Sequence, residues 1–72
     1  MNNKTKIYFL ENSYNYNGDD LNNEKIGGSE KTLINITNSL SNDKNLTIKV
    51  FNNTNKPKII SNVHWYNINQ ID

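Results

Sequence analysis

The hydrophobic positions fall into short runs separated by polar stretches. The first run, Lys6-Ile7-Tyr8-Phe9-Leu10, has no alternation, which predicts a strand covered on both faces, as at the centre of a parallel sheet. Leu46-Thr47-Ile48-Lys49-Val50-Phe51 does alternate. Leu46, Ile48 and Val50 share one face and Thr47 and Lys49 the other, predicting a half-buried strand nearer a sheet edge. Further on, Ile59-Ile60 and Val63-His64-Trp65-Tyr66 predict a third short strand, with Val63 and Trp65 on one face and His64 and Tyr66 on the other.

Between the first two runs the period changes. Leu33, Ile36 or Thr37, and Leu40 recur at three- and four-residue spacing with Ile34 beside them, while Lys31, Asn35, Asn38 and Asn42 fill the other face. That is an amphipathic helix of about three turns. Ser29 can cap its first turn and Glu30 places a negative charge where the helix dipole favours one. Asn42 and Lys44 suit its end. Residues 11–26 ahead of it form a long loop rich in Asn, Tyr and Asp, with Gly18-Asp19-Asp20 as a turn signal. A connection of that length points to functional use or to a mobile, solvated loop. The polar loop 52–58 holds the only Pro.

The order strand, helix, strand, strand predicts an α/β fold built on a β-α-β unit with parallel strands. One helix cannot cover both faces of a parallel sheet. The expectation is therefore that residues 1–72 open a larger domain.

Composition changes this picture little. Leu, Ile, Val and Phe make 18 of 72 residues and the net charge is +1, enough apolar content and little enough charge for a folded chain. Asn reaches 17, with nine Ile, eight Lys, no Ala and no Arg, a bias toward residues with A/T-rich codons. The Asn residues are spread between apolar runs rather than forming a prion-like tract. Asn-x-Ser/Thr triplets at Asn3, Asn35, Asn45 and Asn52 follow from that abundance. The absence of Cys removes disulfides and thiolate metal sites and fits a cytoplasmic location. Lys4 and Lys6 precede an apolar run too short for a signal peptide or a membrane span, so a soluble protein is expected.

Among candidate chemistry the pair Gly27-Gly28 stands first. Two glycines before a helix let a ligand approach the backbone where the first-turn N–H groups point, and phosphate is the natural ligand. A plain flexible turn would explain the pair as well. His64, the only histidine, is the one candidate general base, against a structural or exposed role. Asp19 and Asp20 lack a His partner at ligand spacing, so no metal site is expected. A dinucleotide fingerprint would need three glycines directly after the first strand. Tyr8, Tyr14, Tyr16, Trp65 and Tyr66 could stack on bases, but scattered lysines and near-zero net charge argue against nucleic acid.

In order of elements and in its motifs, the chain resembles the N-terminal domain of family 4 glycosyltransferases of the GT-B type over nearly its whole length. The matching pieces are Lys6-Ile7-Tyr8-Phe9-Leu10, the loop into Gly27-Gly28-Ser29-Glu30, the helix to Leu40, Thr47-Ile48-Lys49-Val50-Phe51, and Asn62-Val63-His64-Trp65-Tyr66. The resemblance implies an incomplete Rossmann-like parallel sheet. It also implies transfer of a sugar from a nucleotide-sugar donor, as substrate and with no cofactor, to a glycan, lipid or small-molecule acceptor. Gly27 and Gly28 would face the donor diphosphate, with Ser29 and Glu30 left to cap the helix. The donor-binding C-terminal domain is absent from residues 1–72, so catalytic residues cannot be named and the piece alone should be inactive. Peripheral membrane contact would belong to the full-length protein. The competing expectation is a free-standing, non-catalytic α/β module that binds a protein through its uncovered sheet face.

Overall fold

The computed structural model describes residues 4–12 and 14–71; the start of the polar lead-in, residues 1–3, lies outside them. Strand β1 is Thr5–Leu10, helix α1 Gly28–Leu40, β2 Leu46–Asn52, β3 Lys58–Ile60 and β4 Val63–Asn67, with short 3-10 turns at Gly18–Asp20 and Ile68–Gln70. Together they form a small α/β unit, one helix on a four-stranded mixed sheet of order β1-β2-β4-β3. β1, β2 and β4 are parallel, and β3 is antiparallel to β4.

The expected β-α-β unit is present, but two strand positions are exchanged. β2 lies between β1 and β4, whereas β1 pairs on one side only among the described residues. The unbroken run in β1 contains two faces of different fate: Ile7 and Phe9 pack toward the core while Tyr8 and Leu10 stay exposed. Apolar residue type concealed that alternation. In β2 the polar Lys49 masked the centrality of the strand, which ends in Val50, Phe51 and Asn52, all buried.

The third strand resolves into a hairpin. Ser61 and Asn62 join β3 to β4 at φ 52° and 66°, the two positive values of a type I′ turn, whose twist matches that of paired strands. Ser41, just past α1, donates from its hydroxyl to the Ser61 carbonyl at 2.8 Å. This bond fixes the helix C-terminus at the amino end of β4. The N-terminus of α1 therefore lies at the carboxyl ends of the parallel strands.

One face of the sheet carries the core. Ile34 from α1 meets Ile48, Val50, Val63 and Trp65 from the sheet, with Leu33 and Leu40 packed beside them. Thr37 takes the buried place that the periodicity shared between Ile36 and Thr37: its hydroxyl donates to the Leu33 and Ile34 carbonyls while Ile36 stays exposed. Part of the loop ahead of α1 completes this layer. Tyr16, 1% exposed, sets its ring edge-on to Trp65 at 5.7 Å, and Ile26 and Leu21 join the same cluster. Gly18 packs so closely that a Cβ there would come within 3.0 Å of Ile60 and of Trp65.

Asparagine side chains sew this loop down. Asn52, fully buried, donates to the Tyr16 carbonyl at 2.9 Å and accepts from the Thr54 amide at 3.0 Å. Asn17 donates to the Lys56 carbonyl, Asn15 accepts from the Asn55 amide, and Asn53 donates to Asn12. A short polar side chain that both donates and accepts can satisfy loop backbone groups that no strand reaches. The loop is thus packed down through Tyr16, Asn17, Leu21 and Ile26, while other stretches of it, among them residues 22–25, are exposed.

Candidate functional site

The glycine pair sits where the fold makes backbone N–H groups available. Gly27 is the N-cap of α1 in extended conformation and caps with no side chain; Gly28 is the first helical residue. This corrects the expected cap. Ser29 lies inside the first turn, and its hydroxyl donates to the Glu30 carboxylate at 3.2 Å.

The two glycines have different reasons for lacking a side chain. Neither needs positive φ, since no described glycine adopts it. At Gly27 a Cβ would lie 2.8 Å from Glu30 Oε1, so the flexible carboxylate folded back over the turn would have to move to admit it. At Gly28 a Cβ would meet nothing within 4 Å. Gly28 is the first helical residue, and its surroundings leave room for a Cβ. Open space beside the first turn of a 13-residue helix, at the carboxyl ends of parallel strands, is suited to an anion.

No family model, curated protein or solved structure matches the chain. Its chemistry is therefore read from its own groups.

Two carboxylates act on Tyr16. Glu30 is buried, and Glu11 accepts a 3.0 Å hydrogen bond from the Tyr16 phenol. Burial pushes that phenol well above its ordinary value, and the bond to Glu11 and the charges of Glu11 and Glu30 push it the same way. Tyr16 is a fixed neutral donor. It closes the loop and does not act as a base.

The other expected candidates lie away from this turn. Asp19 and Asp20 cap and follow Asn17: Asn17 accepts from the Asp19 amide, the Asn17 amide donates to Asp20, and Asp19 pairs with Lys58 at 2.6 Å. Among the described residues no three His, Cys, Asp or Glu side chains group as a metal site, and no helix is long and apolar enough to cross a membrane. A hollow of about 560 Å³ opens at the amino ends of the strands, among Lys4, Lys44 and His64, the end opposite the glycines.

His64 lies on the open face of the sheet, as alternation predicted. Its Nδ1 is 3.3 Å from the Tyr66 hydroxyl, and burial followed by the charge of Lys49 lowers its pKa from the usual value. Beside it Tyr8, Phe51 and Tyr66 form a row of rings across β1, β2 and β4, with the Lys49 ammonium 5.5 Å from the Tyr8 centroid and 5.9 Å from that of Tyr66. Sequence reasoning passed over this cluster. Phe51 and Lys49 sit two apart on one strand, and only the parallel register places them beside Tyr8 and Tyr66.

Proposed function

We propose that the chain is part of a nucleotide-sugar-dependent glycosyltransferase of the GT-B kind, its sheet the beginning of a Rossmann-like N-terminal domain. In this reading Gly27 and Gly28 face the donor diphosphate. The observation that carries it is Gly28: a helical glycine with open space around it and no folding reason to lack a side chain. The Gly28 side of the helix start, the part that Glu30 leaves uncovered, is where a diphosphate would approach the backbone N–H groups.

Glu30 supplies selectivity of a physical kind. Its carboxylate lies over Gly27, so an incoming anion must displace it or bind at the Gly28 side. Chemistry is assigned to no described residue, and the piece alone should bind the donor weakly and not turn it over. The test is titration of the isotope-labelled chain with UDP-, GDP- and ADP-sugars while amide resonances are followed. Millimolar binding with shifts at Gly27, Gly28 and Ser29, abolished in Gly28→Leu, is expected. Shifts confined to other regions, or none for any of the three, would remove the diphosphate assignment.

A second reading is favoured by a separate observation, the aromatic row left open on the sheet. It is that of an α/β module which binds another protein through this face. Tyr8 is 47% exposed, with Leu10 and Ile59 each at 61%.

A further inference from the structure

We infer that the open sheet face docks an amphipathic helix of a partner protein that carries a carboxylate within its apolar stripe. The inference rests on the interaction reading above and is independent of the glycine turn. Its first support is the placement of charge. No strand, nor the 3-10 turn after β4, contains Asp or Glu, whereas the open face carries Lys6, Lys49 and His64. Glu11, directly after β1, turns the other way to accept from Tyr16. The charged side chains of the face are thus Lys6 and Lys49, with His64 favouring its neutral form and Asp43 only at the amino-end hollow beside it, in a chain of net charge +1.

Lys49 is the centre of that charge. In register it lies between Tyr8 and His64, half-buried, with its ammonium held near two tyrosine rings. Ring faces attract a cation without neutralising it. A carboxylate arriving from above would, and desolvation by the arriving apolar surface would strengthen the pair. The hollow of about 210 Å³ lined by Tyr8, Lys49, Phe51, Tyr66 and Gln70 is where it would enter.

The rings decide between a protein and a nucleic acid. Tyr8 and Tyr66 each tilt against Phe51 at 5.4 Å, and Phe51 is 5% exposed. Stacked bases need separated, free ring faces. This is a packed apolar ridge, with exposed Leu10 and Ile59 toward its ends. Three neighbouring strands about 4.8 Å apart span about 10 Å, the width of one helix, and parallel strands are ordinarily covered by helices on both faces.

The probes are designed amphipathic helices of about 20 residues, long enough to span the sheet, with a leucine stripe and a central Glu, Gln or Lys, together with oligothymidylate. Binding is followed by amide shifts and by titration. The Glu peptide should bind about tenfold tighter than the Lys peptide, the scale of a desolvated charge pair, with shifts on Tyr8, Lys49, Phe51 and Tyr66. Lys49→Glu should invert the preference. Lys49→Met, which keeps the apolar stem, should level it and guards against misfolding of the first variant. Equal binding of all peptides at this face would overturn the carboxylate while leaving the docking reading intact. No peptide binding, or shifts on the α1 side, would overturn both. Oligothymidylate binding at Tyr8 and Tyr66 would assign the face to nucleic acid instead.

Discussion

The two faces of one sheet differ in what finishes them. On the α1 side, Trp65, Val50, Ile48 and Val63 are fully buried beneath a helix and a loop pinned by asparagines. On the other side, residues of the same strands, one position along, form a ridge with a lysine at its centre, flanked by Gln70 and with no α-helix packed on it among the described residues. The first face is closed because Tyr16, Leu21 and Ile26 of the loop ahead of α1 do the work of a second helix. The lesson is that covering a parallel sheet takes packed apolar side chains and satisfied backbone, and a helix is only the commonest way to supply both.

Substitution should separate the faces most sharply at two adjacent residues of β4. Trp65→Ala on the closed face should cost about 3–5 kcal/mol, against a total of about 4–11 kcal/mol for a chain of this length. Tyr66→Ala on the open face should cost about 1 kcal/mol. Thermal and urea melts would read the gap, and similar costs at both positions would erase the distinction.

Next in size is the loop that completes the closed face. Asn52→Ala strands the Tyr16 carbonyl and the Thr54 amide, for a loss of about 2–3 kcal/mol. It should also expose Trp65, visible as red-shifted emission. A loss below the error of the melt would mean that the loop is not held through Asn52.

The glycines sharpen the comparison further. Gly18→Ala forces a Cβ to 3.0 Å from Ile60 and Trp65 and should cost about 1–2 kcal/mol. Gly28→Ala meets nothing and should stabilise by about 0.4–1 kcal/mol, chiefly by restricting the unfolded chain. If the first turn serves a diphosphate, the same change should weaken the sugar-nucleotide shifts, separating stability from binding.

The smallest effects are those of pH. Because the folded state holds the Tyr16 phenol above its unfolded value of about 10, that contribution is complete below about pH 10 and declines as pH rises beyond it. His64 is shifted the other way. Its folded pKa lies below the unfolded value of about 6.5, so its contribution is present above that pH and is lost as pH falls toward the folded value. Melts from pH 8 to 5 should show a modest decline that His64→Gln removes.

Much of this was legible in the residues. The helix, the inner face of β2 and the division of Val63 and Trp65 from His64 and Tyr66 follow from periodicity, because each has a one-sided fate that residue type records. β1 was not legible in that way, since Tyr8 and Leu10 are apolar yet exposed. The closed loop escaped notice because Tyr16, Leu21 and Ile26 keep no period and are buried by asparagine bonds to distant backbone. At the candidate site, Gly27-Gly28 stood out by type, but only geometry distinguishes the glycine hemmed in by Glu30 from the one beside open space. The ridge around Lys49 is a product of strand register, which no single run of residues contains.

Tyrosine nitration mapped by mass spectrometry tests the asymmetry of the two faces most directly. Tyr8, Tyr66 and the exposed Tyr14 should be modified while Tyr16 remains untouched, and the Glu-bearing helical peptide should protect Tyr8 and Tyr66 but not Tyr14. Modification of Tyr16 as fast as Tyr8, or protection of Tyr8 and Tyr66 in the free monomer, would contradict a sheet with one closed face and one open one.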